Sequence, residues 1–119
     1  MEKIGTHIIL NGTQCDVDFS NLNLQTSIEA IKKCILESEM TILGECFHDF
    51  KIPAGACTYL CLLAESHFSL HTFPEERKIT CDIYSCNLTR DFTPELEKIT
   101  DLVCKAFIVW EIEKHVLKR

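Results

Sequence analysis

The chain has no long hydrophobic run. After Met1-Glu2-Lys3 the first apolar stretch is only Ile8 to Leu10, too short for a signal core or a membrane span. A cytoplasmic location without a membrane partner is expected. Lysine and arginine do not cluster, and 12 basic against 18 acidic residues leave a net charge of −6. That balance argues against a nucleic-acid surface and is compatible with a cationic substrate without requiring one. No Cys-x-x-Cys pair and no ligand-spaced histidine pair occur, so neither zinc nor dithiol redox chemistry is expected, and no metal. Repeats and low-complexity segments are also absent.

What remains is one domain, 1–119. Apolar residues make up 46% of it, enough for a real core. A domain this short buries a smaller share of its surface than a large one, and dimerisation would add to that. Eight cysteines would suggest disulfides in a secreted chain. Here Cys34 lies in a helical pattern and Cys57, Cys61 and Cys81 in strand-like runs, so all but Cys86 read as buried thiols acting as small hydrophobes.

The pattern alternates short strands with two helices. Thr6 to Leu10 reads as a strand bounded by an Asn11-Gly12 turn. Thr26 and Glu29 have capping-box spacing, which predicts a helix from about Ser27 to Met40, with Ile28, Ile31, Cys34 and Ile35 facing inward. Thr41 to Phe50 reads as a strand, and Lys51 to Gly55 as a loop around Pro53. The continuous apolar run Cys57 to Ala64 predicts a strand buried on both faces. Phe68, Leu70 and Thr72 alternate with polar neighbours to Phe73, the next strand. Pro74 to Lys78 is a charged turn, and Ile79 to Ser85 a further strand. Thr93 as N-cap and Pro94 in the first turn open a second helix with Leu96, Ile99, Leu102, Val103 and Phe107 inward. Ile108 to Ile112 reads as a last strand, and Glu113 to Arg119 as a charged tail that frays. The order β-α-β-β-β-β-α-β predicts an α+β fold: a two-layer sandwich of a mostly antiparallel sheet with two helices on one face.

The densest chemistry lies at Ala64-Glu65-Ser66-His67 and His71-Thr72-Phe73-Pro74-Glu75, followed by Asp82-Ile83-Tyr84-Ser85-Cys86. A hydroxyl, two histidines, an acid and a thiol fall close together, with Glu65-Ser66 at the junction of two expected strands. Taken singly, Ser66 is a turn serine, His71 an exposed strand histidine, Cys86 another core thiol, and Phe50 and Phe73 core residues. His7, His48 and His115 read as structural, and His67 as a brace for the turn.

Taken together these blocks resemble the prokaryotic S-adenosylmethionine decarboxylase proenzymes, which are pyruvoyl-dependent and self-cleaving. Weaker echoes are Gly5-Thr6-His7 and Phe47-His48-Asp49-Phe50. The resemblance implies that the Ser66 hydroxyl attacks the Glu65 carbonyl. The resulting ester eliminates to a dehydroalanine, and hydrolysis releases ammonia and leaves a pyruvoyl group made from Ser66. A serine is a weak nucleophile when unactivated, so strain and neighbouring donors must help.

The family's roles carry over residue by residue. His71 removes the α-proton in the elimination, and Thr58 supplies a hydroxyl that assists processing. Cys86 returns a proton to the substrate carbon. Glu75 holds the ribose hydroxyls, and Phe50 and Phe73 stack on the adenine and approach the sulfonium. Glu65 is both cleavage-site and substrate-binding residue. The implied reaction is Schiff-base decarboxylation of S-adenosylmethionine for spermidine synthesis. It implies a homodimer whose active sites are shared: Glu65, Ser66 and Cys86 from one subunit, and Thr58, His71, Phe50 and Glu75 from its partner.

The chain departs from the family at three places. The stretch from Phe50 to Ser66 is about two residues long by comparison. In Pro53-Ala54-Gly55-Ala56-Cys57-Thr58 either Cys57 or Thr58 fills the hydroxyl position. Asn87 stands where a glycine usually follows the catalytic cysteine. Two other readings are the same machinery acting on arginine or ornithine, and an inactive relative that regulates a true decarboxylase.

Overall fold

The computed structural model describes residues 5–88 and 90–119. Along the chain run β1 (Gly5–Cys15), α1 (Leu24–Glu37), β2 (Ile42–Asp49), β3 (Cys57–Leu63), β4 (Ser66–Phe73), β5 (Lys78–Cys86), α2 (Thr93–Ala106) and β6 (Val109–Lys118). A short 3-10 turn, Pro74–Glu76, links β4 to β5. The strands form one sheet in the order β2-β3-β4-β5-β1-β6, with every neighbouring pair antiparallel. This is the expected two-layer α+β sandwich.

One face of the sheet makes the core. Ile8, Leu10, Tyr59, Cys61, Phe68, Leu70, Cys81 and Ile83 pack with Ile28, Ile31 and Ile35 of α1 and Leu96, Ile99 and Val103 of α2 in a single buried cluster. Because side chains alternate along a strand, the residues between them point to the other face, which no helix covers. That open face carries His7, Thr58, Leu60, Leu62, His67, His71, Asp82, Tyr84 and Cys86.

Several local expectations are corrected. Asn11-Gly12 is not a turn, because β1 continues through it to Cys15. Gly12 answers a close approach instead: a Cβ there would stand 2.9 Å from Val109 Cγ1 and 3.0 Å from Ile79 Cγ1. Helix α1 begins earlier than Ser27, because the Asn23 carboxamide caps it by accepting from the Thr26 N–H at 3.1 Å. At α2 the Thr93 side chain is not the cap. Asp91 accepts from both the Thr93 N–H (2.9 Å) and the Thr93 hydroxyl (2.6 Å).

Strand β3 is buried on one face only. Cys57, Tyr59, Cys61 and Leu63 are inside, whereas Leu60 and Leu62 are 46% and 57% exposed. An apolar run does not say which of its faces the protomer itself covers. Glu113 to Arg119 does not fray either, since β6 pairs along β1 from Val109 to Lys118 and Arg119 exchanges backbone hydrogen bonds with Gly5.

Candidate active site

The candidate side chains fall into two groups at opposite ends of the same strands. At one end β3 turns into β4 through Ala64 and Glu65, and the pairing of Leu63 with Ser66 closes the hairpin. Glu65 has φ 58°, in the left-handed region. A residue with a Cβ held there stores about 1 kcal/mol or more of strain. The peptide bond to Ser66 therefore leaves a strained, exposed residue and enters the first position of a strand. Across the ladder Ser66 faces Ser85, one residue before Cys86. Cys86 ends β5 opposite Gly5 and shares the open face with Tyr84 and Asp82. Ser66 and Cys86 thus lie at the same sheet end, one register step and one pleat apart.

Beside this end is a ring cluster that the sequence reading left as structural. His7 Nε2 lies 3.1 Å from Asp82 Oδ1. The His7, His67 and Tyr84 rings lie about their neighbours at centroid distances of 5.9 to 6.1 Å. Partial burial in this cluster, then the nearness of His7, pushes the His67 imidazolium below its ordinary pKa. His67, expected as a brace for the turn, lies on the open face within this cluster. The signal for the cluster was the alternation of β1, β4 and β5, but pairing β1 with β5 requires the long-range topology.

At the other end the Thr58 hydroxyl and His71 Nδ1 are 3.0 Å apart, directly across β3 and β4. Thr58 shares the open face with His71. Cys57 turns the other way into the core, 1% exposed, where its backbone N–H donates to the Thr72 hydroxyl at 2.8 Å. The Phe73 ring stacks near His71, with centroids 6.5 Å apart. Phe50 meets His48 edge-on at 4.5 Å, and Glu75 is exposed on the 3-10 turn that follows Phe73. His115 is exposed at the sheet edge beside Glu113.

Five residue steps along β4 separate Ser66 from His71, about 17 Å at the rise of a strand. One chain therefore holds Ser66 with Cys86 and Thr58 with His71, and does not bring the two pairs together. Burial pushes the thiols of Cys15, Cys34, Cys57, Cys61, Cys81 and Cys104 up, which keeps them protonated and inert. Cys46 departs from the expectation of burial, being exposed on the open side of β2. Among the described residues no cluster of His, Cys, Asp or Glu is arranged for a metal ion.

A family model described as S-adenosylmethionine decarboxylase matches residues 6–119. The chain belongs to the S-adenosylmethionine decarboxylase family. The S-adenosylmethionine decarboxylase proenzyme of Clostridium botulinum is 33% identical over 87 residues, covering 73% of this chain and 72% of that one. The proenzyme of Thermococcus onnurineus is 29% identical over 107 residues, 87% of this chain and 71% of the relative. A crystal structure of the adenosylmethionine decarboxylase from Aquifex aeolicus superposes with a TM-score of 0.80 at 24% identity, covering 100% of this chain and 92% of that one. This decarboxylase-family member thus shares that protein's fold.

Proposed function

We propose that the chain cleaves itself between Glu65 and Ser66 and then decarboxylates S-adenosylmethionine for spermidine synthesis. The observation that carries this reading is the hairpin itself, a left-handed Glu65 joined to a strand-opening Ser66 with Cys86 at the same sheet end. The Ser66 hydroxyl attacks the Glu65 carbonyl carbon, and relief of the turn strain favours the step. A group formed from Ser66 fits here, because it would head β4 at a half-buried position one register step from Cys86. The pyruvoyl group supplies an electrophilic carbonyl that condenses with the substrate amine and accepts the electrons released with carbon dioxide. Cys86 returns a proton to the substrate carbon. Thr58 is the hydroxyl that assists processing, because it reaches His71 and Cys57 does not, and His71 removes the α-proton of Ser66. Glu75 takes the ribose hydroxyls. Phe73 and Phe50 offer aromatic faces to the base and the sulfonium. The family's own substrate favours this reading over arginine or ornithine.

Two copies complete the site. The open face exposes Leu60, Leu62, Phe73 and Leu117, an uncovered apolar surface of the kind that marks an interface. A twofold axis lying along that face and across the strands at the level of Ser69 sets the Ser66–Cys86 end of one copy against the Thr58–His71 end of the other, and does so twice. The homodimer then carries two shared sites. No helix among the described residues is long and apolar enough to cross a membrane, and the enzyme works in the cytoplasm.

The test is the intact mass of the purified protein under denaturing conditions. Two pieces split after Glu65 are expected, the C-terminal one lighter than a serine-started chain by one ammonia. A single full-length species that does not convert on incubation would overturn the reading.

A further inference from the structure

The Ser66 hydroxyl needs a partner at its own end of the sheet, and the hydrogen bonds around it single out one. Ser66, Ser85 and Thr6 are neighbours across β4, β5 and β1 on the same pleat, and Lys118 of β6 follows. Thr6 is fully buried and Ser85 is 2% exposed. Thr6 has no hydrogen-bonding capacity left. Its oxygen accepts from Asn87 Nδ2 at 2.9 Å and from Lys118 Nζ at 2.9 Å. Its proton goes to Thr93 Oγ1 at 2.8 Å, because Thr93 gives its own proton to Asp91 at 2.6 Å. A hydroxyl has one donor and two acceptor sites, so nothing on Thr6 remains for Ser85. Among the described residues no side-chain hydrogen bond holds the Ser85 hydroxyl, so none competes with a partner across the ladder. Its other cross-strand neighbour is Ser66. Directly opposed residues hold their Cβ atoms about 4.5–5.5 Å apart, so one χ1 rotation brings the two oxygens within hydrogen-bond reach.

We propose that Ser85 acts on the Ser66 hydroxyl during self-cleavage, accepting its hydrogen bond and carrying its proton. This rests on the reading that the chain cleaves at Glu65-Ser66. The bond from Ser66 Oγ to the Glu65 carbonyl carbon forms as the bond from that carbon to the Ser66 nitrogen breaks. The hydroxyl proton passes to Ser85, and Ser85 gives its own to the freed amine, so Ser85 ends as it began and no co-reactant is needed. The role is separate from that of Thr58, which lies at the far end of the β3–β4 hairpin beside His71. The network on Thr6 matters because it denies Ser85 a competing partner. It also gives Asn87 a purpose: the amide that follows Cys86 ties the end of β5 to β1 and, through the Phe92 N–H at 3.1 Å, to the start of α2.

The experiment is a time course of cleavage in cell-free synthesis, quenched in denaturant and read by mass. Ser85→Ala is expected to slow cleavage about 100-fold, and Ser85→Thr to restore most of the rate, because it returns the hydroxyl. Melting of the uncleavable Ser66→Ala chain with and without Ser85→Ala checks that the fold survives. If both Ser85 variants cleave like the wild type, or if Ser85→Thr is as slow as Ser85→Ala, the assignment of Ser85 falls and self-cleavage stands. If the wild-type chain itself never cleaves, the self-cleavage reading falls and takes Ser85 with it.

Discussion

The two ends of β4 differ in how finished they are. At the Thr58 end a hydroxyl and an imidazole already share a hydrogen bond, and an aromatic ring stacks beside them. At the Ser66 end the turn is strained at Glu65, and Ser66 stands across the ladder from the buried Ser85. The first arrangement suits groups that act on another residue and are left unchanged themselves. The second suits a group that is changed once by its own chemistry. The difference teaches that this small sheet holds two half-sites of different kinds, too far apart along one strand to work on the same molecule. In the proposed homodimer the second copy removes that separation.

The sharpest way to break this comparison is to disable one half-site in each of two chains. Cys86→Ala spoils the Ser66 end and His71→Ala the other, so each homodimer is expected to lack activity. Random mixing gives half heterodimers, and each heterodimer has one site drawn from two intact halves, so about a quarter of all sites should recover. The mixture is prepared by co-expression, and turnover of S-adenosylmethionine is measured against the pure variants. A mixture as inactive as its components would mean that each chain keeps its own site.

Second in size is the loss of the second copy. Leu62 lies on the open face away from the core and faces His67 across the ladder. Leu62→Asp should leave the folded protomer as stable as before, because it removes nothing from the helix-covered cluster. An unpaired carboxylate in the proposed interface costs about 2–3 kcal/mol, and the twofold dimer carries it twice, so the dimer should weaken roughly 1000-fold or more. Sedimentation velocity at micromolar concentration reads the shift from dimer to monomer, and activity should fall with it. A variant that unfolds, or a wild type that sediments as a monomer, would end the interface assignment.

How far such features were legible follows from how local each one is. Strand β4 was plain from Phe68, Leu70 and Thr72, because a period of two on a half-buried strand needs only its own residues. The run Cys57 to Ala64 misled, because Leu60 and Leu62 are apolar for the sake of a surface the single chain does not cover. Asn11-Gly12 misled in the opposite way: the glycine is set by Val109 and Ile79, which are distant in sequence. The choice between Cys57 and Thr58 could not be made by counting from either side, yet the pleat decides which of them meets His71. Ser66, His71 and Cys86 stood out through their motif. Ser85 and the His7–Asp82 pair did not, because strand register, and not sequence neighbourhood, places them beside Ser66 and His67.

The smallest expected effect concerns pH and the Ser66 end alone. His67 faces His7 of β1, Asp82 and Tyr84 of β5, and Arg119 beyond β6. Its partial burial and the nearby His7 favour the neutral ring, with Asp82 opposing them. A pKa lower in the folded chain means that the unfolded chain takes up the proton first as pH falls. The neutral ring's contribution is therefore full above the ordinary histidine value of about 6.5 and is lost as pH drops through the lower folded value. Urea midpoints at pH 7.5 and pH 5.5 should show a decrease for the wild type and a smaller decrease for His67→Gln, which cannot titrate. The Thr58 end supplies the control: Thr58→Val removes the hydroxyl from His71 but leaves the surroundings of His67 alone, so the pH-dependent decrease should match that of the wild type. Equal decreases in wild type and His67→Gln would assign the acid sensitivity to other groups and leave the two ends alike in this respect.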